Sequence, residues 1–150
     1  MFDQIVAYLE KRIEANAINP DPFARRQVAV ASLLIEASRL DGHYDATEQG
    51  TVIRLLRDSL QLPPDQARTL HAIAEARQAN TYDNWIFCEA IKKGYQMPER
   101  IDIVKHLWEV ALVDGHLHRL EALMIDRVAV ELGLSPADAA AAKAAAQAKT

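Results

Sequence analysis

Apolar residues recur every three to four positions along most of the chain, and the rhythm breaks at Pro, Gly and Asn/Asp residues. Phe2, Val6, Leu9 and Ile13, with Ile5 beside them, predict an amphipathic helix from about Asp3 to Ala15. Its polar face mixes acidic and basic residues, which favours packing on the protein's own core over lying on a membrane. Asn19-Pro20-Asp21-Pro22 interrupts the pattern, and Asp21 with Pro22 forms an N-cap and first helical residue for a second helix from about Pro22 to Leu40. Gly42 closes it. Asp45, with Glu48 three residues later, has the form of a capping box and opens a third helix to about Leu60. Pro63-Pro64 opens a fourth to about Ala79, and a fifth carries Trp85, Ile86, Cys88, Ala90 and Ile91 to Gly94. A sixth starts at Pro98, faces Ile101, Val104, Leu107, Trp108 and Ala111 inward, and ends at Gly115. The seventh spans about Leu117 to Leu132 before Gly133, and Ser135-Pro136 starts a last, alanine-rich helix. No segment alternates with strand periodicity, so the fold class is all-α, a compact bundle of about seven to eight helices. Trp85 and Trp108 are expected as core anchors, and Cys88 as a core residue.

One pattern within this array occurs twice. Glu36, four residues, Asp41-Gly42-His43, four residues, Glu48 is matched by Glu109, four residues, Asp114-Gly115-His116, four residues, Glu121. Each copy is a helix, an Asp-Gly turn and a second helix, and each is followed by a Leu-x-Leu turn, Leu60-Gln61-Leu62 and Leu132-Gly133-Leu134. The registers slip by one residue, which places Ile53 of the first copy against Ile125 of the second. A repeated helix pair cannot bury its apolar stripe alone, so the two copies are expected to pack together in a pseudo-two-fold arrangement with both Asp-Gly turns on one flank.

The acidic positions differ in how well local structure explains them. Glu36 and Glu109 fall on apolar helix faces, where a carboxylate needs a pairing partner, a hydrogen bond or a metal. Asp41 and Asp114 stand at helix C-termini, where the dipole disfavours an anion by up to about 1 kcal/mol. Glu48 and Glu121 sit at helix starts, which suit them. Two explanations remain: ordinary capping and turn chemistry, with Arg39, Lys105 or Arg119 neutralising the acids, or a bound divalent cation. Carboxylate oxygens, with Asp45 as a further candidate, suit Ca²⁺, Mg²⁺ or Mn²⁺, while His43, His116 and His118 nearby would admit Zn²⁺ or Fe. The loop lacks EF-hand spacing, and the Glu-x-x-His motif of di-iron bundles is absent.

Composition narrows the remaining classes. The chain has 150 residues, half of them hydrophobic, which suits one domain with a sizeable core. A formal net charge of -4 without a basic cluster argues against nucleic acid as a partner. The single Cys88 excludes an internal disulfide and a Cys-based zinc site. With no signal-peptide pattern and no apolar run that could span a bilayer, a cytoplasmic location is expected. No nucleophile elbow surrounds Ser32, Ser38, Ser59 or Ser135, no phosphate loop is present, and His71 and His106 read as structural or surface residues.

The doubled Glu…Asp-Gly-His…Glu motif, over roughly Val28 to Leu134, resembles the TerB-like family named for a tellurite-resistance protein. The resemblance implies a single helical domain over residues 1–150 with an acidic cluster that binds divalent metal. It also implies an association with metal or oxyanion stress, protein partners at the membrane, and no enzymatic activity. Glu36, Asp41 and Glu48 match the first family motif, and Glu109, Asp114 and Glu121 the second. The histidine after each glycine, and His118 in place of a carboxylate, depart from it and bear on metal preference. An interaction module with a purely structural acidic repeat is the alternative function, and a dinuclear metal hydrolase a more distant one.

Overall fold

The computed structural model describes residues 23–40, 44–79, 84–113 and 119–148. Among them are seven helices and no strand: α1 Arg25–Arg39, α2 Ala46–Leu60, α3 Pro64–Ala79, α4 Trp85–Gly94, α5 Met97–Ala111, α6 Arg119–Glu131 and α7 Pro136–Ala148. The fold is all-α and compactly packed. The expected Asp3–Ala15 helix, the Asp21-Pro22 start and both Asp-Gly turns lie outside the described residues. No helix among the described residues is long and apolar enough to cross a membrane.

The core is built around α1. Every residue from Val28 to Ile35 is buried, Ser32 included, so this helix has no solvent face over two turns. Ser32 and Ser38 are accommodated because their hydroxyls donate to Val28 O at 2.7 Å and Leu34 O at 3.1 Å. α1 packs most extensively on α3 and α4, and also touches α2, α5 and α6. It starts at Arg25 rather than Pro22, because Ala24 is extended and its amide donates to Gln27 Oε1 at 3.0 Å. Phe23, buried just before, pins the entry.

The other ends follow from local chemistry. Asp45 caps α2 by accepting from the Glu48 amide at 2.9 Å, as its sequence predicts. Ser135 Oγ accepts from the Asp138 amide at 3.1 Å at the start of α7. Arg100 on α5 donates to the carbonyls of Lys92, Tyr95 and Leu132, which satisfies the ends of α4 and α6 and ties them to α5. α7 lies along α5, where Lys143 Nζ stands 4.7 Å from the centroid of the buried Trp108 ring. Trp85 corrects the sequence expectation, being 58% exposed. Phe87, Cys88 and Ile91 form the buried stripe of α4, and Trp85 at the helix start falls outside it.

The two Leu-x-Leu turns close alike. Leu62 N–H donates to Arg57 O at 3.1 Å and Leu134 N–H to Ala129 O at 3.0 Å, each across a left-handed residue, Gln61 at φ 54° and Gly133 at φ 84°. The buried residue four positions after the motif Glu is Val52 in α2 and Ile125 in α6.

The left-handed closures make opposite substitutions informative. Gly133→Ala is expected to destabilise by about 1–2 kcal/mol, and Gln61→Gly to gain up to about 1 kcal/mol, both read from urea unfolding midpoints.

Candidate functional site

The site is assembled from helices that touch one another. Glu36 is carried by α1, Glu48 by the first turn of α2, Glu109 by α5 and Glu121 by the first turn of α6. α1 contacts α2, α5 and α6, and α5 contacts α2 and α6, so the helices bearing the four glutamates form one connected group. Glu48, Glu109 and Glu121 are 6%, 7% and 3% exposed, and Glu36 is half-buried with its Oε2 enclosed. The burial of Glu109 and the enclosure of Glu36 follow from their apolar helix faces. That of Glu48 and Glu121 does not follow from their positions, since a first-turn glutamate ordinarily faces water. All four engage in polar or electrostatic interactions.

Asp41, His43, Asp114, His116 and His118 lie outside the described residues. Asp45 is exposed and occupied as the α2 cap. Among the described residues no three His, Cys, Asp or Glu side chains are grouped closely enough to hold a metal ion. The carboxylates of Glu36, Glu48, Glu109 and Glu121 nonetheless have the donor chemistry of a hard-cation site. Two cations that could neutralise them are engaged by other acids. Arg39 donates to Glu75 Oε2 at 2.9 Å and Gln78 Oε1 at 3.0 Å, and Lys105 Nζ lies 3.1 Å from Asp102 Oδ1.

Around Glu109 the structure adds residues that sequence reasoning left as structural or surface. His106, one turn before Glu109, is buried between two carboxylates, with Nε2 at 3.0 Å from Asp102 Oδ2 and Nδ1 at 3.5 Å from Glu109 Oε2. The His106 hydrogen bond, opposed by partial burial and helped by Lys105, holds the Asp102 carboxyl down at about 2. The readable signal was the His-x-x-Glu spacing of His106 and Glu109, which puts both on one helix face.

Near the first copy, Tyr44 follows the Asp-Gly-His turn and docks on α3. Its hydroxyl lies 2.7 Å from His71 Nε2, the two rings stack at 5.8 Å, and the Arg39 guanidinium sits 5.3 Å from the Tyr44 ring centroid. Burial pushes the Tyr44 phenol above its ordinary value, with Glu75 adding to the effect and Arg39 opposing it. Burial also pushes His71 below its ordinary value, with Glu75 opposing and Arg39 adding. A protonated phenol beside a neutral imidazole makes Tyr44 the donor and His71 the acceptor. The brace holds the residue next to His43 against the core.

Cys88 is buried, as expected, with the Glu131 carboxylate nearby. Burial pushes the thiol up, Glu131 and Glu36 add to the shift, and Arg127 opposes it. A thiol held protonated in this way is neither a nucleophile nor a ready thiolate ligand.

A helical bundle that buries carboxylates at matched positions of two helix pairs is the class of protein these features define. The family model described as Tellurite resistance protein TerB matches residues 27–144, and the chain belongs to that family. The matched span contains all ten candidate ligands. No curated protein and no solved structure matches the chain.

The Tyr44–His71 brace has a defined pH signature. A histidine with a depressed folded pKa contributes stability that is present above its unfolded value, near 6.5, and is lost as pH falls through the folded value. His71→Leu is expected to cost about 1–3 kcal/mol at neutral pH by leaving the Tyr44 hydroxyl without its acceptor. It should also flatten the decline in melting temperature below pH 6.5 relative to wild type. A parallel decline in both proteins would contradict this assignment.

Proposed function

We propose that this TerB-family chain is a non-enzymatic divalent-metal-binding module, serving a response to metal or oxyanion stress. Glu36, Asp41, Glu48, Glu109, Asp114 and Glu121 supply the principal ligands, with Asp45, His43, His116 and His118 as further donors. The observation that carries the reading is the burial of Glu48, Glu109 and Glu121 on a connected group of helices. Carrying an ionised carboxylate out of water is costly unless an opposite charge compensates it. Oxygen donors favour Ca²⁺, Mg²⁺ or Mn²⁺, and the histidines open the site to Zn²⁺ or Fe.

A second reading, a helical protein-interaction module with a structural acidic repeat, has its own support. Ile86 on α4 and Leu120, Leu123 and Val130 on α6 are large apolar side chains left exposed, and Leu123 and Val130 lie seven residues apart on one helix face.

Thermal melts separate the two readings. At a hundredfold excess over its dissociation constant, a metal selective for the folded chain adds about 2.7 kcal/mol, or roughly 5–10 °C for a chain of this size. The metal reading predicts such a shift with at least one of Ca²⁺, Mg²⁺, Mn²⁺ or Zn²⁺, reversed by chelator. The Glu36→Gln/Glu109→Gln double variant should lose it while keeping its helical circular dichroism. No shift with any metal in the wild-type chain would leave the interaction reading standing.

A further inference from the structure

α6 is apolar on two opposite sides. Ile125 and Val128 are buried, while Leu123 and Val130, each two residues from one of them and so about half a helical turn round, are 54% and 74% exposed. Leu120, three residues before Leu123 and on the same side, is 61% exposed. A helix with apolar residues on both sides is ordinarily covered on both. The first copy of the motif provides the comparison. Counted from Glu48 as Leu120, Leu123 and Val130 are counted from Glu121, the positions in α2 hold Thr47, Gly50 and Arg57, all exposed. The repeat itself therefore does not require an apolar outer stripe, and the one on α6 calls for its own explanation.

The place where the chain enters the bundle points to what covers the stripe. Arg26, in the first turn of α1, donates to Gly94 O at 3.1 Å and lies 5.2 Å from the Tyr95 ring centroid, so α1 begins against the C-terminal end of α4. Arg100 joins that end of α4 to the end of α6 by donating to the carbonyls of Lys92, Tyr95 and Leu132. The outer stripe of α6 thus starts, at Val130, near the corner where residues 1–22 lead into α1. Those residues carry the apolar series Phe2, Ile5, Val6, Leu9 and Ile13. In helical form Phe2 to Ile13 spans about 17 Å and Leu120 to Val130 about 15 Å, so the two stripes match in length. Asn16 to Pro22 reaches up to about 23 Å when extended, enough to lay the segment along α6 from that corner. Asp3 and Glu10 flank one side of the apolar series, and Arg127, with its side chain 64% exposed, stands within the outer stripe as their opposite charge.

We propose that residues 1–15 of the same chain dock as an amphipathic helix on the outer stripe of α6 formed by Leu120, Leu123 and Val130. Tethering favours this occupant. A segment joined through a short linker is present at an effective concentration in the millimolar range, far above that of a second copy or an external partner. α6 carries Glu121 in its first turn, so covering its outer face also steadies the helix that presents that carboxylate. A protein partner directed at the same stripe has to displace the segment first. The proposal is independent of the metal-binding reading.

Methyl NMR of the full chain carrying a nitroxide at Gln4→Cys tests this, with the enclosed Cys88 thiol kept out of the labelling reaction by its burial. The nitroxide should bleach the methyl signals of Leu120, Leu123 and Val130 in its own chain. It should leave them intact in a nitroxide-free, isotope-labelled chain mixed with a spin-labelled, isotope-free one. Stability gives a second readout. Leu9→Gln and Leu123→Gln, which keep helix propensity, should each lower the melting temperature by about 3–8 °C, and the double variant should fall little further than the larger single effect. Bleaching in the mixed sample would make the occupant a second copy and overturn the proposal. Unaffected methyls, or a Leu123→Gln chain that melts within about 2 °C of wild type, would overturn it as well and leave the stripe to an external partner. If either Gln variant fails to fold, the bleaching pattern alone decides.

Discussion

Compensation of buried negative charge is the constraint on which the rest of the structure turns. Glu48, Glu109 and Glu121 are almost fully enclosed, on helices that also build the apolar core. The core fixes where these carboxylates stand. α1 contributes an unbroken buried run from Val28 to Ile35, and its contacts with α2, α5 and α6 join the helices that carry all four described motif glutamates. Rigid packing of that kind fixes where these side chains stand. The arrangement is stable only where positive charge or hydrogen bonds answer the acids. Part of the protein's own supply is engaged by other acids, Arg39 by Glu75 and Lys105 by Asp102.

The two copies of the motif are supported differently, and this bears on function. The first is braced from outside by Tyr44, which docks on His71 of α3 beneath the Arg39 guanidinium. The second is backed from within its own helix, where Asp102, His106 and Glu109 follow one another along α5 at helical spacing. A common backbone plan thus carries unlike polar surroundings. The Leu62 and Leu134 closures show the same plan in miniature, with one geometry built around Gln61 in one turn and Gly133 in the other.

Much of the fold was legible in the sequence because Pro, Gly and Asp punctuate it. Pro64, Gly94, Ser135-Pro136 and the Asp45 cap fall where the helices begin and end. Periodicity was less reliable for single residues. Trp85 was expected in the core, yet the buried stripe of α4 runs through Phe87, Cys88 and Ile91. At the site, an apolar neighbourhood correctly marked Glu109 as buried. First-turn positions concealed the burial of Glu48 and Glu121, because their enclosure comes from neighbouring helices and not from their own. His106 was missed for the same reason: what makes it notable is the distance from Nδ1 to Glu109, and tertiary packing sets that distance.

Anomalous diffraction from crystals of the full chain grown with Mn²⁺ tests the central claim most directly, because it locates the ion instead of inferring it from stability. The account predicts an ordered ion within about 2.0–2.6 Å of carboxylate oxygens from at least two of Glu36, Glu48, Glu109 and Glu121. Ions found only on exposed surface acids, with these four carboxylates held entirely by protein groups, would contradict it.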